Sequence, residues 1–346
     1  MNVTTIGIDL AKEVFQIHGV DPHGKAVVRK QLKRAQVARF FANLPACLIG
    51  MEACGSAHFW ARKLQALGHT VKLMAPQFVK PYVKTNKNDA SDAEGICEAV
   101  SRPSMRFVSP KNADQQALLA LHRARAGFVQ ARTAQGNQIR GLLAEFGFVI
   151  PKGQWRIAAA LQPILEDAEN DLPGTSRALF ARLLAHLRYL DAQVTQIEQQ
   201  IKEWHQNDAD SRRLETIPGI GPLTASALVA SIADINAFKN ARQLAAWLGW
   251  VPRQHASGGK SVLLGISKRG DTYLRTLLIH GGRAVLLAQQ RRARSEGTWG
   301  AALAQRRHPN IAAVALANKN ARIVWALLAR GQDYQPHYHA SMRPAT

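Results

Sequence analysis

The chain has 346 residues, 47% of them hydrophobic, and its 45 lysines and arginines outweigh 24 aspartates and glutamates to give a net charge of +21. This length is enough for a sizeable core and more than one domain. No apolar run spans a bilayer and no basic-then-apolar leader opens the sequence, so we expect neither a membrane protein nor a secreted one. Cys47, Cys54 and Cys97 form no CxxC pair and no cluster with histidine, which disfavours disulfides and zinc and favours a reduced, cytoplasmic protein.

The positive charge is unevenly distributed. Residues 1–110 carry a net +7, residues 111–210 are neutral, and residues 211–346 carry +14. A polyanion is the expected partner of such a chain. The alternative is a generally basic protein that needs no ligand, but the concentration of charge in one third of the chain favours the polyanion.

The first 110 residues alternate between strand and helix patterns. The predicted strands are 3–9, 14–20, 25–32, 47–51 and 70–74, and the predicted helices lie near 35–43, 58–68 and 88–100. Short connections make the first three strands an antiparallel meander. The order β-β-β-α-β-α-β-α predicts an α/β domain with a mixed sheet.

The middle of the chain is predicted to be helical. A long helix over 113–145 is followed by proline- and glycine-marked loops around one short helix, and then by a periodic segment over 176–205. Apolar residues recur there at steps of three and four, as in a coiled coil: Phe180, Leu183, Leu187, Leu190, Val194, Ile197, Ile201 and Trp204. Such a stripe needs a partner, either a second protomer, which we favour, or the 113–145 helix folded back.

The last third is predicted to be mainly helical. Residues 214–232 read as two helices around a Pro-Gly-Ile-Gly turn that resembles a helix-hairpin-helix, and further helices are expected at 240–248, 271–290, 299–307 and 311–330. The predicted organisation is therefore an α/β domain over 1–110, a helical linker and coiled coil over 111–210, a C-terminal domain over 211–330 and a frayed tail over 331–346.

Four acids in the first domain are candidates for chemistry. Asp9 and Glu52 end predicted strands, while Asp89 and Asp92 are three residues apart at a helix start. If the fold brings them together, the carboxylates require a cation, and Mg²⁺ or Mn²⁺ is the natural match. Together with a polyanion partner this indicates phosphoryl transfer. Taken singly, Asp89 could be an N-cap, Asp92 a complement to the helix dipole, and the strand-end acids ordinary polar residues.

The last third holds the candidate nucleic-acid contacts. The glycines of the turn permit close approach of a phosphate, and the next helix start offers unpaired N–H groups, although a tight turn in a helical core is the alternative. A glycine-rich loop over 255–261 precedes a basic run. Its serines are candidate nucleophiles, although the alternative is that they have no chemical role, as is true of most serines in loops. The residues expected to bind nucleic acid are Gly219, Gly221, Arg253, Lys260, Lys268, Arg269 and Arg275.

Several motifs in order resemble one family. They are Gly7-Ile8-Asp9, Ala11-Lys12-Glu13, Met51-Glu52-Ala53 and Asn86-Lys87-Asn88-Asp89-Ala90-Ser91-Asp92-Ala93, then Ile217 to Gly221, Gly249-x-x-Pro252-Arg253, Ser257-Gly258 and Ser267-Lys268-x-Gly270. This pattern is similar to that of the DEDD, RuvC-like transposases of insertion-sequence family one-ten, with its eleven-eleven subgroup, relatives of the Piv invertase. The resemblance covers about residues 5–330.

The resemblance implies a fold, a mechanism and partners. It implies an RNase H-like first domain in which Asp9, Glu52, Asp89 and Asp92 carry Mg²⁺, and a second domain in which Ser257 attacks DNA, with Ser261 as a rival. It further implies a non-coding guide RNA that pairs with donor and target DNA, and a homodimer or homotetramer acting at the bacterial nucleoid. The expected function is thus an RNA-guided transposase with a serine-linked intermediate.

Two other functions compete with this one. A metal-dependent junction-resolving endonuclease on the same fold would use water and leave no covalent adduct. A basic, coiled-coil architectural protein would need no metal and would tolerate loss of all four acids.

Overall fold

A computed structural model describes residues 2–83, 88–291 and 299–336. Contacts divide the chain into two compact units. Unit 1 comprises Met1–Gln116 and Ile232–Lys239, and unit 2 comprises Ala117–Ser231 and Asn240–Thr346. Two motif residues, Asn86 and Lys87, and residues 337–346 of the predicted tail lie outside the described residues.

Unit 1 is built on a six-stranded mixed sheet. Its strands are β1 (Thr5–Leu10), β2 (Val14–Val20), β3 (Ala26–Lys33), β4 (Leu48–Glu52), β5 (Thr70–Met74) and β6 (Phe107–Val108). They lie in the order β3-β2-β1-β4-β5-β6, with β1, β4 and β5 parallel and the other neighbours antiparallel. The predicted α/β class and meander are confirmed, and the sheet is consistent with an RNase H-like domain. The two-residue strand β6 is too short for the sequence pattern to reveal.

Helices cover the two faces of this sheet. They are α1 (Val37–Ala42), α2 (Ala57–Gln65), α3 (Pro76–Val79) and α4 (Asp89–Val100), with single 3-10 turns at Arg34–Gln36 and Lys80–Tyr82. Alternate β1 residues face opposite ways, so Ile6 and Ile8 enter the main core with Phe41 and Trp60, while Gly7 meets α4 on the other face.

Unit 2 is mainly helical. Its helices are α5 (Ala113–Ala144), which begins in unit 1, then α6 (Trp155–Glu166), α7 (Gly174–Asn207), α8 (Ala209–Glu215), α9 (Pro222–Ile232), α10 (Ala241–Trp247), α11 (Thr272–Arg291), α12 (Trp299–Arg306) and α13 (Pro309–Arg330). A third 3-10 turn, Ile235–Ala237, belongs to unit 1.

The apolar stripe of α7 is covered within the same chain. Phe180 and Leu187 are buried in a cluster with Ile139 of α5, and Ile201 is buried in a second cluster with Leu118 of α5. Ion pairs between the same two helices, Arg125 with Glu198 and Arg132 with Asp191, flank these clusters. Of the two predicted partners, the folded-back helix is therefore the one observed, and the stripe gives no reason to expect a second protomer.

One helix corrects the expectation that no segment could span a membrane. By length and composition α13 passes that test, yet 44% of its most apolar window is buried inside the protein. Its buried residues include Ala313, Ala317 and Asn320, and the Asn320 amide donates a 2.9 Å hydrogen bond to the Pro218 carbonyl. These contacts account for the apolar face as part of the core of unit 2.

The glycine-rich loop is a β-hairpin. Strands β7 (Pro252–Ser257) and β8 (Lys260–Ile266) pair antiparallel around Gly258-Gly259, where both glycines have positive φ, as tight hairpin turns require. These strands were not predicted, because almost every residue in them is exposed and no alternation of buried and exposed residues marks them.

A buried histidine joins three helices of unit 2. His122 of α5 lies 3.1 Å from Ser226 Oγ of α9 and 3.0 Å from the Tyr273 hydroxyl of α11. Because Ser226 donates its hydroxyl proton to the Pro222 carbonyl, it accepts from Nε2–H, and Nδ1 accepts from Tyr273. This tautomer is neutral, and burial, aided by the charge of Arg125, lowers the pKa of His122 to about 4.

This network predicts a pH-dependent stability. The pKa of His122 in the folded protein lies below that of an ordinary histidine. Between these two pKa values the unfolded chain binds more protons than the folded chain, so the free energy of unfolding decreases as the pH falls. At about pH 5 the loss is on the order of 2 kcal/mol. Urea unfolding at neutral and acidic pH should show a steeper decline for the wild type than for His122→Gln. Parallel declines in the two proteins would contradict the assignment.

Candidate active site

Two of the four acids lie at the same edge of the sheet. Strands β1 and β4 are parallel, and Ile8 pairs with Met51. The next residue on each strand is an acid, Asp9 on β1 and Glu52 on β4, and both are half-buried. Since parallel strands end at a common edge, this register places both acids at the same edge of the sheet.

The other two acids belong to the first turns of α4. The helix is capped by Asn88, whose side-chain oxygen accepts a 2.8 Å hydrogen bond from the Ser91 N–H. The alternative that Asp89 is the N-cap is therefore wrong. Asp89 is exposed and Asp92 half-buried, and both favourably oppose the positive end of the helix dipole.

A glycine sets the distance between β1 and α4. A methyl group at Gly7 would lie 2.2 Å from the Ala93 carbonyl oxygen and 2.4 Å from the Cys97 nitrogen, so only glycine permits this approach. Gly7 stands two residues before Asp9, and Ala93 follows Asp92 directly. Gly7 belongs to the Gly7-Ile8-Asp9 motif, but its structural role depends on the contact between β1 and α4, which the motif does not reveal.

The fold brings three of the predicted acids together. One carboxylate oxygen from each of Asp9, Asp89 and Asp92 lies within 4.8 Å of the others. Glu52 is outside that group but faces the same region. Partial shielding from water raises the pKa of the Cys54 thiol, and the carboxylates of Glu52 and Asp9 raise it further. The thiol of Cys54, a residue with no predicted role, thus lies within the field of both carboxylates.

This donor set fits a hard divalent cation. All the converging atoms are carboxylate oxygens, and like charges at this separation repel strongly unless a cation lies between them. Their partial exposure leaves room for water or phosphate oxygens as further ligands.

Ser257 lies at the tip of the hairpin in unit 2. It pairs with Lys260 across the two-glycine turn and is exposed, and no described residue hydrogen-bonds its hydroxyl. Its rival Ser261 lies on the second strand, where its hydroxyl accepts a 2.7 Å hydrogen bond from Gln254.

Most of the predicted phosphate contacts are exposed at the hairpin. Arg253 and Lys260 are on its strands, and Lys268 and Arg269 follow its second strand. Backbone hydrogen bonds from Ser267 to Val251 and from Lys268 to Gly249 close its base.

Three other predicted contacts fare differently. Gly221 is exposed, but Gly219 packs against the backbone of Gly281, where a methyl group would lie 2.8 Å from the Gly281 oxygen. Its positive φ thus serves helix packing inside unit 2. Arg275 is buried, and its guanidinium donates to the Leu248 carbonyl and the Thr272 hydroxyl. That burial corrects its placement on a nucleic-acid surface.

A serine–histidine–glutamate set elsewhere in unit 2 is structural. His205 lies 2.8 Å from both Ser211 Oγ and Glu215 Oε2, across the junction of α7 and α8. Ser211 is completely buried, so this hydroxyl is closed to an external substrate.

Family models match two long segments of the chain, and known proteins match nearly all of it. Residues 6–148 match a DEDD transposase model of the IS110 group, and residues 211–296 match the model described as Transposase IS116/IS110/IS902 family. The chain is 45% identical over 330 residues to the transposase for insertion sequence element IS1328 of Yersinia enterocolitica, covering 95% of this chain and 98% of that one. The chain belongs to the IS110/IS1111 family of transposases.

Two further relatives agree. The transposase for IS1111A of Coxiella burnetii is 45% identical over 334 residues, which are 96% of this chain and 92% of that protein. A Pseudomonas aeruginosa protein described as a probable family 20 transposase is 54% identical over 337 residues, 97% of this chain and all of that one. The resemblance stated from the motifs is confirmed, and membership of this transposase family implies an enzyme that cleaves DNA.

The spacing between β1 and α4 is testable by adding one methyl group. Gly7→Ala should push α4 away from β1, separate Asp9 from Asp89 and Asp92, and weaken Mn²⁺ binding about tenfold or more. Electron paramagnetic resonance of free Mn²⁺ measures the Mn²⁺ affinity directly. Gly55→Ala, where nothing lies within 4 Å of the added carbon, is the matched control. Equal Mn²⁺ affinities in the two variants would refute the role given to Gly7.

Proposed function

We propose that this transposase cuts and rejoins DNA strands through a phosphoserine-linked intermediate. The observation that carries the proposal is the convergence of Asp9, Asp89 and Asp92 in a strongly basic chain. We assign Asp9, Glu52, Asp89 and Asp92 to one Mg²⁺ site, which Mn²⁺ can also fill. When bound, the ion supplies charge stabilisation at the scissile phosphate.

The proposed nucleophile is Ser257. Its exposed position at a hairpin tip suits attack on an extended substrate, and Lys260 opposite it supplies a positive charge for the phosphate. In the proposed step the bond from Ser257 Oγ to phosphorus forms, the bond from phosphorus to one strand oxygen breaks, and the serine proton leaves to solvent. The freed strand end takes up a proton. Religation reverses these changes with a different strand end and needs no nucleotide cofactor.

We assign the selection of the DNA strands to a guide RNA encoded by the insertion sequence. Side chains such as Arg253, Lys260, Lys268 and Arg269 contact sugar and phosphate, which positions nucleic acid without reading its sequence. Base pairing between RNA and DNA then supplies specificity, as in other RNA-guided systems. We place the reaction at the bacterial nucleoid, in a homodimer or homotetramer, with the turn at Gly221 as a further phosphate contact.

Removal of a metal ligand tests the first part. Asp9→Ala or Asp92→Ala should reduce strand exchange by about a hundredfold or more, because the charge stabilisation at the phosphate is lost. Affinity for DNA and RNA should stay near that of the wild type. Glu145→Ala removes an exposed acid from unit 2 and should be fully active. Normal strand exchange without Asp9 or Asp92 would support the architectural alternative instead.

Trapping a covalent adduct tests the nucleophile. Ser257→Ala should abolish a denaturation-resistant protein–DNA species that the wild type forms, because no oxygen remains to bond the phosphate. Ser261→Ala is the matched control, and loss of the adduct there alone would move the nucleophile. Cleavage that persists in Ser257→Ala without any adduct would identify the hydrolytic junction-resolving endonuclease.

A further inference from the structure

Unit 1 carries an almost acid-free stretch of sequence. From residue 22 to residue 88 there are 12 lysines and arginines, and the sole acid is Glu52, which the proposed metal site uses. Much of this charge lies on the free edge strand β3 and on the helices that follow it. An edge strand is often protected by lysine alone, so charge by itself does not establish a binding surface.

The side chains on one face of this region are held in place by aromatic rings. Arg34 lies 5.6 Å from the centre of the Phe15 ring and 5.5 Å from that of Trp60. Lys63 lies 5.5 Å from the centre of the same Trp60 ring, and Lys30 lies 5.5 Å from that of Phe40. We call Lys30, Arg34 and Lys63 the ring-anchored cations.

All three lie beside a single core. Phe15 and Trp60 are buried members of the main cluster of unit 1, and Phe40 packs against it. Lys30 stands between the buried residues Val28 and Leu32 on the same side of β3, so it projects from the face that α1 and α2 cover. Because Arg34 and Lys63 share the Trp60 ring, their charges are at most twice the ring distance apart.

Their hydrogen-bonding capacity is almost unused. Arg34 makes one long hydrogen bond, 3.5 Å from Nη1 to the Lys12 carbonyl, and neither lysine hydrogen-bonds or ion-pairs with any described residue. An aromatic face holds a cation without consuming its N–H groups. Arg34 and Lys63 are therefore kept beside one ring and Lys30 beside another ring of the same core, and all three cations keep donors available to an external anion.

A neighbouring cavity is also lined by positively charged side chains. It measures about 380 Å³ and lies between β3 and α1, and both of its charged lining residues, Arg29 and Lys30, are cations. The adjoining Asn43 amide donates one hydrogen bond to the Arg39 carbonyl, and Arg29 and Lys30 are the charged donors that a ligand would meet.

We propose that the ring-anchored cations form a nucleic-acid contact of unit 1, distinct from the acidic cluster, that binds a sugar–phosphate backbone. The assignment rests on the proposed function, since it supplies a second hold on the same nucleic acids. Fixed cations lose little side-chain freedom on binding, which suits them to a repeating anion. DNA and guide RNA share this backbone chemistry.

The test neutralises the three charges in the full chain. Lys30→Gln, Arg34→Gln and Lys63→Gln combined should weaken binding at physiological salt about tenfold or more, and the slope of log Kd against log salt should fall by about two to three. Fluorescence anisotropy with a labelled DNA duplex and with a labelled RNA hairpin measures both quantities. Loss on either probe or on both supports the contact and names its source.

A control of equal charge separates this face from net charge. Arg182→Gln, Lys202→Gln and Arg212→Gln combined remove three exposed cations from unit 2 and should leave the salt slope near the wild-type value. Equal slopes and affinities in the two triple variants on both probes would overturn the proposal. Lys30→Gln with Lys63→Gln keeps Arg34 over its rings, and should lower the slope by about two if the triple variant proves unstable.

The two proposals fail separately. If the wild type forms no covalent adduct, the chemistry assigned to Ser257 fails while the salt slope still measures the contact. If the slopes are unchanged while the adduct forms, the ring-anchored cations have no such role and the chemistry stands.

Discussion

Repulsion among three carboxylates is the constraint that the packing of unit 1 has to overcome. Asp9, Asp89 and Asp92 present oxygens within 4.8 Å of one another, a placement that costs free energy in the absence of a cation. The backbone enforces it through the close contact of β1 with α4 at Gly7. A sheet edge and a helix start, each rigid by itself, thereby hold the acids at a separation that free side chains would avoid. Such enforced proximity is how a protein prepares a site for a metal ion.

Unit 2 presents its candidate nucleophile in the opposite manner. Ser257 lies at the end of an exposed two-stranded hairpin, a kind of structure that is marginally stable by itself. Backbone hydrogen bonds at its base attach it to a helical core that the buried His122 ties together. An accessible serine on a projecting element suits a substrate as large as a nucleic acid, whereas the enclosed Ser211 is confined to structure.

Positive charge is organised differently in the two units. In unit 2 it is exposed at and after the hairpin, close in sequence to Ser257. In unit 1 it lies over aromatic rings, with Arg34 and Lys63 sharing Trp60. Rings fix the direction of a cation at little cost in hydrogen-bonding capacity, so the same net charge acquires a defined geometry. Arg275 marks the contrast, since its guanidinium is spent on Leu248 and Thr272 within the core.

The sequence by itself determined the mixed sheet, the positions of the four acids and the family, because hydrophobic alternation, strand-end acids and ordered motifs are local. Only the tertiary structure decided that Asn88 caps α4, that α5 covers the stripe of α7, and that Gly219 packs on Gly281. It also revealed the hairpin around Gly258-Gly259, whose exposed strands carry no burial pattern. These features depend on which surfaces meet across long stretches of chain, and residue order restricts such meetings without specifying them.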